Sequence, residues 1–424
     1  MSQTKTQVKP ELISLEQVRE AQFRLNSVVM HSPLMLNHNL SERYQCKVFL
    51  KREDLQVVRS YKIRGAYNKM ACMSKSELQN GIVCASAGNH AQGVAYACQK
   101  LGVDGIIFMP TPTPRQKIRQ VKMFGKDRIE VRLIGDTYDD SQREALLFAE
   151  KENKSFIHPF NDENVIIGQA TVGMEIMEDA QEPIDYLFLP VGGGGLAAGV
   201  GSVFRQLSPK TTVVGIEPEG APSMKASLDR GELVKLDRIE RFVDGAAVKQ
   251  VGDKTFSICQ DVLDEMITIH EGLICSTILR LYNEEAIVVE PAGAMSIAAL
   301  ELFADKIKGK TVVCVVSGSN NDITRTEEIR ERSLLYEKLK HYFIIRFPQR
   351  SGALREFVTE VMGPGDDITH FEYSKKNSRE KGPALIGIEL QRPEDFEPLI
   401  QRMKDKNFIY EYINDRPDLF RYLI

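Results

Sequence analysis

Residues 185–207, DYLFLPVGGGGLAAGVGSVFRQL, decide the fold. An apolar run without alternation ends in four glycines, Gly192, Gly193, Gly194 and Gly195, and a helical stretch opens at Leu196. A continuous apolar run bounded by glycine is the mark of a strand buried on both faces, and such strands form parallel sheets with helices on either side. The same grammar recurs up to about Asn321, as in GIVCAS then HAQGVAYACQKL, and GIIFMP then PRQKIRQVKMFG. The expected fold is therefore α/β. Ligands of such sheets sit beyond the carboxyl ends of the strands, so the residues after each apolar run are where chemistry belongs.

The whole chain sets bounds on that chemistry. Its 424 residues suffice for two or three domains, and 42% hydrophobic with 27% charged residues and a net charge of −4 is the balance of a soluble globular protein. There is no basic arm for nucleic acid, no apolar stretch long enough for a bilayer, and the polar start MSQTKTQVKPELISLEQ lacks the core of a signal peptide, so a cytoplasmic protein is expected. The seven cysteines are scattered and form no CxxC pair, no HExxH is present, and Ser317-Gly318-Ser319 is not a GxSxG elbow, which sets aside zinc proteases and α/β-hydrolases.

Four post-strand loops stand out. RSYKIRGA places Lys62 at a helix start between Tyr61 and Ile63; alone it reads as a surface lysine, but a buried amine there is suited to forming an imine and acting as a base. SAGNH, residues 86–90, offers the backbone amides of a helix start to an anion, or is a plain helix cap. The glycine run suits a phosphate cradle. It also fits GxGxxA, with Glu217 ending the next strand where a dinucleotide fold places its ribose acid, so a nucleotide-cofactor oxidoreductase is the rival reading. Ser317-Gly318-Ser319-Asn320 closes the strand TVVCVV. Together the loops supply a lysine, an anion site, a phosphate cradle and a hydroxyl, which suit pyridoxal phosphate.

From about Ser14 onward the chain resembles the threonine dehydratases of the tryptophan synthase β-like family of pyridoxal-phosphate enzymes. The carriers are KREDLQ with SYKIRGAY, SAGNHAQGVA, VGGGGLAAG, GIEP, FVDGAAV, VEPAGA and VVSGSNND, in that order. The resemblance implies a two-lobed catalytic domain over residues 1–330, its smaller lobe spanning roughly 50–155, and conversion of L-threonine to 2-oxobutanoate and ammonia. It implies that Lys62 forms the imine with pyridoxal 5'-phosphate and that Tyr61 flanks the ring. Asn89 bonds the ring hydroxyl, Ser86 and the amides of Ala87, Gly88, Asn89 and His90 hold the substrate carboxylate, and Gly192 to Gly195 with Leu196 cradle the phosphate. Ser317 meets the pyridine nitrogen, and a neutral partner there favours elimination over transamination. Serine racemases share the fold but carry a serine where this chain has Ala87, so a dehydratase is expected, with L-serine as a second candidate substrate. Glu217, Ala221 and Ser223 match a segment where relatives hold a cation, here a monovalent one; a capping role for Glu217 is the alternative.

Past residue 330 the grammar changes. ERSLLYEKLKHY reads as a connector over 331–340, and residues 341–424 read as strand, helix, strand, strand, helix, strand, a ferredoxin-like βαββαβ unit with polar loops RSG, GPGDD and NSREKG and no catalytic cluster. It resembles, best in FPQRSGALREFV, the ACT-like regulatory domain of biosynthetic threonine dehydratases. That implies isoleucine biosynthesis, isoleucine or valine as effector, and a homo-oligomer with a tetramer as the expected form. Ser351 departs from the proline usual in that loop. A non-enzymatic amino-acid sensor is the remaining alternative.

Overall fold

The computed structural model describes residues 12–348, 350–373, 381–416 and 420; most of the polar N-terminal stretch and of the loop NSREKG lies outside them. The apolar runs become strands β1 (Leu34–Asn37), β2 (Lys47–Arg52), β3 (Ile82–Ala85), β4 (Gly105–Met109), β5 (Ile129–Leu133), β6 (Ser155–Phe156), β7 (Tyr186–Pro190), β8 (Thr212–Pro218), β9 (Glu265–Ile269) and β10 (Thr311–Val316). They form two sheets, a six-stranded one in the order β1-β2-β10-β7-β8-β9 and a four-stranded one in the order β5-β4-β3-β6. Every pairing is parallel except that of β1 with β2. All six residues of β10 are buried, as a central strand covered on both faces requires.

The helices explain the small residues of the opening stretch. A Cβ on Gly199, in the helix Gly195–Leu207, would lie 2.6 Å from the Ile166 carbonyl, and one on Gly168 would lie 2.6 Å from that of Arg64. These contacts bring Glu163–Asp179 against both Gly195–Leu207 and Lys62–Ala71. Gly93, in the helix Asn89–Leu101, does the same for the other side of Lys62–Ala71, since its Cβ would sit 3.1 Å from the Lys62 backbone. The helix that begins with Lys62 is thus wedged between two others, and its first residue has a fixed place.

Residues 1–323 form one compact unit and residues 324–424 a second. The second holds β11 (Lys340–Pro348), β12 (Asp367–Tyr373), β13 (Lys381–Glu389) and β14 (Ile409–Tyr412), antiparallel in the order β12-β13-β11-β14, with helices Ala353–Glu360 and Phe396–Asp405. Phe343, Phe347, Phe357 and Phe408 fill its core. The segment read as a connector is largely the helix Thr326–Tyr336 of this unit, where Arg330 pairs with Glu389 at 2.7 Å and Glu331 accepts from the Tyr342 hydroxyl at 2.7 Å.

Candidate active site

Between the two sheets lies a cavity of about 980 Å³ whose wall includes Tyr61, Lys62, residues 86–90, Gly192, Gly193, Glu290, Ser317 and Asn320. Each group follows a strand or starts a helix, so the four loops singled out by sequence reach one place. Gly194, Gly195 and Leu196 stand behind that wall at the start of their helix, with Leu196 packed in the core.

Lys62 is set by a clasp between two loops. Arg59 takes a left-handed φ of 59°, and its carbonyl accepts from Ser319 N at 2.9 Å while Tyr61 N donates to Ser317 O at 3.2 Å. Ser60 and Gly318 form an isolated antiparallel bridge between these bonds. The Lys62 amine donates to the Pro159 carbonyl at 3.0 Å and lies 5.3 Å from the Tyr61 ring centroid. Burial lowers it to about 8, against the opposing attraction of Glu290, so a useful fraction is neutral near physiological pH.

Two residues along, Arg64 bonds Glu53 at 2.7 and 2.8 Å and Glu175 at 2.6 and 2.8 Å, and Lys51 reaches Glu175 at 2.7 Å. This buried cluster anchors the first turn of the Lys62 helix to β2 and to Glu163–Asp179.

The glycine loop has packing as well as chemistry behind it. A Cβ on Gly193 would strike the Phe160 ring at 2.2 Å, one on Gly192 would meet Ala246 at 2.8 Å, and Gly194 has a left-handed φ of 89°. Glycine is therefore needed at three of the four positions whatever binds there. The helix Gly195–Leu207 starts with no side-chain cap, directly after the two glycines, Gly192 and Gly193, that line the cavity.

Asn89 is held from both sides. Its amide donates to Glu290 Oε1 at 2.6 Å, and its carbonyl oxygen accepts from Asn320 Nδ2 at 2.7 Å. Glu290, directly before the helix Pro291–Leu302, is buried and pushed up to about 7, chiefly by that burial and then by Asp244. A Cβ on Gly318 would lie 2.5 Å from its carboxylate, so the SGSN loop leaves room for the acid.

Residues 26–318 match the family described as pyridoxal-phosphate dependent enzyme, and residues 331–423 match the C-terminal regulatory domain of threonine dehydratase. The chain is 58% identical to L-threonine dehydratase biosynthetic IlvA of Halalkalibacterium halodurans, over 97% of this chain and 99% of that protein. It is 55% identical to the protein of the same name from Bacillus subtilis, over 97% and 98% of the two chains. The chain belongs to the pyridoxal-phosphate dependent enzymes, among the threonine dehydratases. The processed form of threonine deaminase isoform 2 from Solanum lycopersicum superposes with a TM-score of 0.72 at 41% identity, covering 77% of this chain and 90% of the tomato chain.

The residues present fit this threonine dehydratase family's cofactor. A partly desolvated amine suits its aldehyde, and an uncapped helix start behind glycines suits its phosphate. Glu217, Ala221 and Ser223 stand apart from the cavity wall. The Glu217 carboxylate accepts from Met224 N at 2.7 Å and Lys225 N at 2.8 Å, which caps the helix Ser223–Arg230 and leaves it ill placed to bind a ribose. Burial pushes it up to about 8 in spite of those bonds. Among the described residues no group of three His, Cys, Asp or Glu could hold a metal ion. Sequence reading passed over Pro159, Phe160, His158 and the acid Glu290; the last was visible only as one letter of VEPAGA.

Proposed function

We propose that this chain converts L-threonine to 2-oxobutanoate and ammonia as the committed step toward isoleucine, in the cytoplasm and as a homo-oligomer. The observation that carries this is the Lys62 amine, lowered to about 8, in one cavity with Gly192 and Gly193, which lead into an uncapped helix start. Lys62 would hold pyridoxal phosphate, with Gly192 to Gly195 and Leu196 toward its phosphate, Asn89 toward the ring hydroxyl, Tyr61 beside the ring and Ser317 toward the pyridine nitrogen. Bound there, pyridoxal phosphate supplies a sink for the electrons left when the Cα–H bond breaks. Ser86 and the amides of Ala87 to His90 orient the substrate carboxylate. With the cofactor bound, the Lys62 amine would take the Cα proton and deliver it to the Cβ hydroxyl, which leaves as water. The released enamine takes up water to give 2-oxobutanoate and ammonia. Ala87 has no hydroxyl with which to return a proton from the opposite face, which favours elimination over racemisation.

The C-terminal unit serves as the effector-binding part, with isoleucine or valine as its ligand. Steady-state turnover of threonine and of serine, each with and without isoleucine, tests both halves of this reading. No 2-oxobutanoate from threonine, or no borohydride-fixed adduct on Lys62, would sink the catalytic half. Inhibition that persists after removal of the second unit would sink the regulatory one.

A further inference from the structure

The turn after β6 touches both reactive features of the cavity at once. His158 Nδ1 accepts from Phe160 N at 3.2 Å and from Asn161 N at 2.8 Å, which closes residues 158–161 into a turn held by one side chain. Within that turn, the Pro159 carbonyl accepts from the Lys62 amine at 3.0 Å. The next residue, Phe160, presses its ring where a Cβ on Gly193 would be, at 2.2 Å, and packs edge-on to the His158 ring at 4.7 Å between centroids. Asn161 carries the link on, since its amide donates to Asp253 at 2.6 Å at the start of the helix whose Thr255 hydroxyl donates to Gly193 O at 2.7 Å.

We propose that His158 is a positioning residue: as a two-fold backbone acceptor it fixes the turn that places the Lys62 amine on one side and backs the glycine loop on the other. This rests on the role given to Lys62 above. A ring nitrogen that accepts two backbone N–H bonds carries no proton, so the imidazole is neutral with its hydrogen on Nε2. Burial, and after it the Lys62 charge, lower the ring to about 4, which keeps it neutral through the physiological range. A protonated His158 would lose both acceptor bonds and set a second cation beside the amine.

The test separates the acceptor from the ring. An asparagine at 158 keeps an oxygen that accepts from the amides two and three residues on, as in an Asx turn, but has no ring N–H; a leucine keeps bulk and has no acceptor. In the full-length enzyme with cofactor bound, amide exchange at Phe160 and Asn161 is measured together with kcat and KM for threonine. His158→Leu is expected to speed exchange of both amides by about tenfold or more and to lower kcat by a similar factor, with a smaller change in KM, the scale of two lost hydrogen bonds. His158→Asn is expected to keep both quantities within about threefold of the unaltered enzyme on the same scale. If His158→Asn loses turnover while its amides stay protected, the ring acts directly and the positioning role is overturned. Unchanged kcat in His158→Leu overturns it equally. If the leucine variant does not fold, the asparagine variant still decides between the two roles. Failure of the unaltered enzyme to turn over threonine would strike the assigned reaction, whereas amide protection reports on the turn by itself.

Discussion

Lys62 and Arg64 leave the same turn of one helix into two buried regions, and the two regions treat charge in opposite ways. Around Arg64, burial works against the cation, but Glu53 and Glu175 outweigh it and hold the guanidinium above its ordinary range. Around Lys62 the direct partner is a neutral carbonyl, and the acid that acts on it, Glu290, is itself pushed up to about 7. Desolvation is common to both sites, and partners decide the outcome. A buried charge with saturated partners is an anchor; one left under-compensated is available for proton transfer.

Four experiments would break or sharpen that contrast. Lys62→Ala should leave a folded protein whose threonine turnover is down roughly 10⁴-fold or more, above about 5 kcal/mol, the scale of a lost proton-transfer group. Retained turnover would remove the amine from the reaction. Arg64→Ala should cost about 3–5 kcal/mol in urea unfolding, because it strands Glu53 and Glu175 without their cation. A loss below about 1 kcal/mol would mean that the cluster is no anchor.

Glu290→Gln comes next. Glu290 keeps its proton in the folded chain up to about 7 where an ordinary carboxyl releases it near 4.5, so its contribution is present at low pH and lost as pH rises through that window. The glutamine variant should flatten that fall, by about 3 kcal/mol at most. Lys62 works with the opposite sign: its amine loses the proton at about 8 rather than 10.5, so stability rises from pH 8 toward 10.5, and this limb should survive in the Glu290 variant. Last, Lys117 pairs with Asp244 at the cavity wall, joining the helix Arg115–Gly125 to the loop ahead of Gly245. Lys117→Ala should raise KM for threonine only a few-fold, about 0.5–1 kcal/mol, and raised salt should mimic it in the unaltered enzyme.

Local order made much of this legible in the sequence. Strand, small-residue loop and helix follow one another within a few positions, so SAGNH, GGGG and SGSN declare themselves as post-strand loops, and the structure sets all three around the cavity that holds Lys62. The βαββαβ unit was readable for the same reason. What escaped depends on distant chain segments meeting. Nothing beside Glu290 says that Asn89 will donate to it, and nothing in HPFND says that a histidine will accept from the amides of Phe160 and Asn161 while the carbonyl of the intervening proline faces Lys62. Glu217 kept a ribose reading beside its capping one because the end of a strand is the right place both for a ribose acid and for the cap of the next helix, and only the positions of Met224 and Lys225 separate the two. The glycine run was read only for what it could bind, as a phosphate cradle or a dinucleotide fingerprint, because Phe160 and Ala246, which also demand it, come from elsewhere.

The clasp between residues 59–61 and 317–319 bears on how the enzyme is made. Strand β10 lies between β2 and β7 in the large sheet, yet it is the last strand of its unit to be synthesised. While the ribosome is still short of residue 311, the two halves of that sheet have nothing to pair with at their centre, and Lys62 lacks the loop to which Tyr61 is bonded. The nascent chain therefore carries Gly192 to Gly195 and Lys62 without having a complete site. Competence arrives in one late, non-local step, the kind that folds slowly and leaves strand edges exposed until it is done.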